Sequence, residues 1–197
     1  MTETEHSSRA EATRARLLDA AVTAFAERGY HATTTRDIAG AAGMSPAAVY
    51  VHHSSKEELL YLISKKGHQD LLDVLREAVA TSEDPVQQLR ATMRAFTLHH
   101  VRTHTSARVV NYELAALSEK HLEEMQAIRH EIDQLVTDLV DRGIAAGAFD
   151  PPNPRMAAVA LQSLGIDIAR WYREGGWGEE EIADAYVAMA LRIAGAE

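Results

Sequence analysis

Ten histidines are the first residues with chemistry to offer. Five of them, His99, His100, His104, His121 and His130, crowd between positions 99 and 130. His100 and His104 stand four apart, so on a helix they share a face and form a usable pair of metal ligands. No carboxylate joins them at a diagnostic spacing, and HExxH is absent. The pair is therefore read as hydrogen-bonded imidazoles, as contacts for a polar ligand group, or as a proton sensor, and no metal is assigned. No Ser–His–Asp set or Gly-rich phosphate loop is present, and with no cysteine there is no thiol nucleophile or disulfide. The expectation is a chain with no catalytic residues and no cofactor.

A second group, between positions 34 and 56, suits a polyanion. Thr34, Thr35 and Tyr50 offer hydroxyls to phosphates, Arg36 reaches a phosphate or a guanine, and Lys56 stands near a backbone. Ser45, Pro46, Ala47 and Ala48 are small, so a helix carrying them can approach base edges closely, and alanine methyls can meet thymine methyls. Tyr50, Val51 and His52 end that helix, with Val49 turned inward. These residues need elements to hold them. Thr34 with Asp37 reads as a capping box, and Ile38, Ala39 and Ala42 as the inner face of a short helix. Gly43 makes the turn. Ser45 caps the next helix and Pro46 takes its first position. Ser54 with Glu57 reads as a further box. Residues 34–53 thus predict helix–turn–helix geometry, which presents its second helix to a major groove. An ordinary helical hairpin shares the pattern.

The wider chain is helical throughout. Leu17, Leu18, Ala21, Val22 and Phe25 repeat at three and four residues from Ser8 to Arg28, and Gly29 stops that helix. Long helices are expected from Ser54 to about Ala80 and from Glu119 to Ala146, others from Asp84–Pro85 and Asn153–Pro154, and a last one from Glu179. The reading is all-α with about nine helices. Residues 1–10 are expected to be a flexible arm, whose Arg9, with Arg14 beyond it, could follow phosphates. Residues 11–71 form the reading head, and 72–197 a separate helical domain. Residues 1–56 balance six cations with six carboxylates, whereas 57–197 hold fourteen against twenty-three, the whole −9 of the chain. That asymmetry points to different partners for the two parts. The longest apolar run, Ala185 to Leu191, is far too short to span a bilayer, and no signal core opens the chain. A cytoplasmic protein without membrane contact is expected.

The stretch RARLLDAAVTAFAERGYHATTTRDIAGAAGMSPAAVYVHHSSKEELL resembles the DNA-binding domain of the TetR family of bacterial repressors. Ala21, Phe25, Gly29–Tyr30, Thr34, Ile38–Ala39, Ala42–Gly43, Ser45, Val49–Tyr50 and Lys56-Glu57-Glu58-Leu59 carry the likeness. It implies a homodimer with an N-terminal DNA-binding domain and a C-terminal effector domain. It also implies that Thr34, Thr35, Arg36, Ser45, Pro46, Ala47, Ala48, Tyr50, His52 and Lys56 lie at an operator. His53 departs from the family, which usually carries an aromatic there, so a buried imidazole is expected. A second resemblance, Arg170-Trp171-Tyr172-Arg173 followed by Gly175-Gly176, is to TetR-type regulators of lipid and steroid degradation, and implies an acyl-CoA effector.

The function expected is a ligand-released repressor. The alternatives are an activator or non-inducible regulator of the same family and, more distantly, an all-α small-molecule-binding protein or enzyme without DNA activity. Met93, Phe96, His100, Tyr112, Leu164, Ile168 and Trp171 are read as lining an effector pocket, although apolar residues at helical spacing are also ordinary core. The last helix carries two apolar stripes, Ile182, Tyr186, Met189 and Ile193 beside Ala183, Val187, Ala190 and Ala194, the helix before it carries one through Leu161, and a stripe beyond the domain's own need calls for another surface. Leu161, Ile182, Tyr186, Val187, Ala190 and Ala194 are therefore read as a dimer interface.

Overall fold

Capping chemistry sets most of the helix ends. The computed structural model describes the backbone of residues 3–196 and the side chains of residues 10–196. Among these residues are nine α-helices, a short 3₁₀ turn at Leu114–Ala116 and no strand. The helices are α1 (Glu3–Arg28), α2 (Thr35–Ala41), α3 (Pro46–His52), α4 (Lys56–Val79), α5 (Pro85–Arg102), α6 (His104–Tyr112), α7 (Glu119–Ala145), α8 (Pro154–Trp171) and α9 (Glu179–Ala194). Thr34, Asp84 and Asn153 each accept a backbone N–H of the first turn that follows. Two boundaries correct the sequence reading. Helix α1 begins at Glu3, so residues 3–8 share its backbone. The cap that opens α4 is Ser55, one residue later than expected: its hydroxyl accepts the Glu58 N–H at 3.0 Å, and the Glu58 carboxylate reaches back to accept the N–H of Ser54.

The chain forms two compact units, and they do not follow the division at residue 71. One joins residues up to Gly67 with Arg108–Met125; the other joins His68–Ala107 with the remainder from Gln126. In the first unit, α1, α2 and α3 close on Leu17, Ala21, Phe25, Ile38, Ala39 and Val49, all essentially without exposure. Each of the large ones contributes about 1.5–3 kcal/mol by burial. Residues 108–125 join them because Val110 packs so tightly on Gly67 that a Cβ there would stand 2.7 Å from its methyl.

In the second unit α5 packs along both α8 and α9. Leu72, Leu75, Leu89, Met93, Phe96, Leu139, Leu161 and Ala190 form the core. Gly165 lets α8 approach the Phe96 ring: a Cβ at that position would lie 2.8 Å from it. No helix among the described residues is long and apolar enough to cross a membrane.

Candidate nucleic-acid interface and sensing unit

The turn between α2 and α3 is held from three sides. Gly43 takes φ 67°, a left-handed value that a side chain resists, and the Met44 N–H closes the turn on Ala39 O at 2.8 Å. Arg16, on α1, donates to Ala42 O at 2.7 Å. Thr34 and Asp37 form the full reciprocal box, with Asp37 accepting the Thr34 N–H at 2.8 Å and its hydroxyl at 2.6 Å. Those bonds, with Arg28 nearby, hold the Asp37 carboxyl below its ordinary range. Across the two helices the Thr35 and Tyr50 hydroxyls meet at 3.2 Å.

Held this way, α3 buries Val49 completely and leaves its other residues exposed or half-buried. Ser45, Pro46 and Ala47 are exposed, Ala48 is half-buried, and Tyr50 and Val51 are 59% and 77% exposed. Thr34 and Arg36 are exposed and His52 half-buried, so the polar residues named from sequence flank one small-residue face. Ser45 makes no cap bond with its side chain. His53 is buried as expected, and desolvation lowers its pKa.

Lys56 is engaged within the first unit. Its ammonium donates to the carbonyls of Tyr30 and Thr33, both at 2.8 Å, and lies 4.0 Å from the Tyr30 ring centre. Two carbonyls and an aromatic face occupy the charge that the sequence reading assigned to a phosphate. Lys56 instead ties the start of α4 to the loop between α1 and α2.

Sequence reasoning also missed a cluster on the first three turns of α4. Glu57 accepts the Ser118 N–H at 2.8 Å and faces His121 Nδ1 at 2.8 Å. The His121 ring stacks on Tyr61 at 3.8 Å, and the Tyr61 hydroxyl donates to Glu124 at 2.6 Å while accepting from Lys65. Burial opposes ionisation of Glu57, but the Ser118 and His121 hydrogen bonds outweigh it and leave its pKa lowered. Glu113 likewise accepts the Tyr30 N–H at 3.2 Å. Partners about sixty to eighty positions apart leave no local spacing signal. Arg9 lies outside the residues whose side chains are described.

The second unit contains most of the expected pocket residues, but as close-packed core. Met93, Phe96, His100 and Ile168 are fully buried, and Leu164 and Trp171 half-buried. Tyr112 belongs to the first unit and is 47% exposed. The His100 ring sits 4.8 Å from Phe96, with Nδ1 3.1 Å from Phe96 O, and desolvation drives its pKa down to about 3. It is a neutral imidazole at physiological pH. His104 turns its own Nδ1 to Val101 O at 3.0 Å, so the two rings are each engaged by their helix backbone. Among the described residues no three His, Asp or Glu side chains gather as a metal site. The hydroxyls of Thr92 and Thr97, on α5, are buried without hydrogen-bond partners.

The interface expectation needs a larger correction. Leu161, Ala190 and Ala194 have no exposure and Ile182 only 4%, so they serve the protomer's own core; Tyr186 and Val187 are half-buried. The large apolar side chains that α8 and α9 leave in water are Met156 (62%), Val159 (48%) and Met189 (39%).

A family model described as bacterial regulatory proteins, tetR family, matches residues 17–61, and one described as tetracyclin repressor-like, C-terminal domain, matches residues 82–194. The HTH-type transcriptional repressor KstR2 of Rhodococcus jostii is 30% identical over 90% of this chain and 89% of its own. The HTH-type transcriptional activator FasR of Mycolicibacterium smegmatis is 31% identical over 81% of this chain and 71% of its own. Among solved structures, a bacterial regulatory protein in the tetR family from Rhodococcus RHA1 superposes with a TM-score of 0.89 at 39% identity, covering 94% of this chain and 98% of that one.

Proposed function

This chain belongs to the TetR family of bacterial transcriptional regulators, and we propose that it is a repressor that binds a near-palindromic operator as a homodimer and is released by a small-molecule effector. The exposed small-residue face of α3 carries the reading. The first turn of that helix, with Ser45 at its cap, Pro46 and Ala47 exposed and Ala48 half-buried, offers little bulk to a major groove, and the turn behind it is held by the Arg16 and Met44 hydrogen bonds. Arg36 and the hydroxyls of Ser45 and Tyr50 supply phosphate contacts at its edges.

The sign of regulation follows KstR2, a repressor similar over nearly the whole chain; FasR, an activator, keeps the opposite sign as the second reading. Release requires an effector that binds the DNA-incompetent state more tightly. An effector that opened the packed core beside Phe96 would meet the unpaired Thr92 and Thr97 hydroxyls of α5. The class we carry forward is an acyl-CoA thioester, on the resemblance of the Arg170–Arg173 segment alone. The dimer face is Met156, Val159 and Met189, whose exposure calls for a cover.

The test is a mobility-shift assay with DNA upstream of the chain's own gene. A near-palindromic segment is expected to shift, and Ala47→Glu to weaken binding by at least about tenfold with unchanged circular dichroism, because a carboxylate then enters the groove. Equal affinity in the folded variant refutes the assignment of α3. Acyl-CoA thioesters of graded length are then added to the complex, and in vitro transcription reads the sign.

A further inference from the structure

The second unit is acidic, with ten arginines against seventeen carboxylate side chains across His68–Ala107 and Gln126–Glu197. Three of those arginines nevertheless line one open groove of about 920 Å³ between α5 and α9, which the turn at Thr81 and Ser82 also borders. That volume lies within the ~300–1,000 Å³ range of small-molecule sites.

The three cations are not equivalent. Arg94 is neutralised inside the unit, bonded to Asp184 at 2.6 Å and to Glu180. Arg90 and Arg192 form no ion pair among the described residues. The wall between them is apolar, made by Ala91 of α5 and by Val187, Ala188 and Leu191 of α9.

We propose that this groove binds an amphipathic anion, an alkyl chain ending in a carboxylate or phosphate ester. The chain lies along Val187 and Leu191, and the head is held by the Arg90 and Arg192 guanidiniums, whose planar forks match both head groups. The groove stays open if a second copy covers Met189. At about 100° per residue, Leu191 lies about 200° around α9 from Met189, so the two face away from each other.

Calorimetry on the full chain uses decanoate and decyl phosphate, with decanol, decyltrimethylammonium and inorganic phosphate as comparisons. We expect one site per chain for at least one of the two amphipathic anions, with each comparison at least tenfold weaker; which anion binds more tightly identifies the head group. R90Q/R192Q is expected to lose at least tenfold while operator affinity stays unchanged, which keeps this result independent of the DNA-binding reading. If that variant fails to fold, Ala188→Glu, an exposed change within the groove, carries the same expectation. Absence of binding by both anions overturns the proposal. So does affinity in the folded variant within twofold of wild type, or inorganic phosphate binding as tightly as decyl phosphate.

Discussion

Replacing Lys56 with methionine separates a structural role from a DNA-contacting one. In the structure the ammonium bridges two carbonyls at 2.8 Å and lies over the Tyr30 ring. A hydrogen bond from a charged donor is worth about 1.5–3 kcal/mol. A cation over an exposed ring adds about 0.5–1 kcal/mol. Lys56 is half-exposed, so the lower ends apply, and ordering its side chain costs about 1.5–2 kcal/mol in return. Lys56→Met should therefore destabilise the chain by about 2 kcal/mol, read by urea unfolding followed by circular dichroism. Operator affinity is measured in parallel across salt concentrations. Each lost phosphate contact would lower the slope of log affinity against log salt by about 0.9; the structure predicts an unchanged slope. A variant of wild-type stability with a slope reduced by about 0.9 would refute the reasoning and return Lys56 to the DNA.

His100 makes stability depend on pH in a definite direction. Its folded-state pKa is about 3 and its unfolded value near 6.5, so below pH 6.5 the unfolded chain takes up a proton that the folded chain refuses. Stability falls as pH drops through that window by up to about 1.4 kcal/mol per unit, and His100→Gln should remove that share, measured by unfolding at pH 7 and pH 5. Gly165→Ala drives a methyl into the Phe96 ring, and should cost about 1–3 kcal/mol in thermal or urea unfolding. V159E/M189E, both at exposed positions, should leave the protomer folded but monomeric in sedimentation; Ala190→Glu, fully buried, should unfold it instead.

The helical class, the turn at Gly43, the Thr34–Asp37 box and the inward Val49 were all legible in the sequence. Each depends on neighbours within four residues: a capping oxygen, a left-handed glycine, or a repeat of three and four. The same locality explains the Ser54 misreading, since Ser54–Glu57 and Ser55–Glu58 fit one pattern and only the backbone path chooses between them.

What tertiary structure alone decided is which groups meet across distance and which of two stripes faces in. Lys56 finds the Tyr30 and Thr33 carbonyls, Glu57 finds His121, and Glu113 finds Tyr30, because the chain returns residues 108–125 to the first unit. On α9 two apolar stripes alternate, and periodicity ranks them equally; contact with α5 buries Ala190 and Ala194 and leaves Met189 in water. Hydrophobic burial carries no direction of its own, so a helix with apolar residues on two sides takes its orientation from its neighbours.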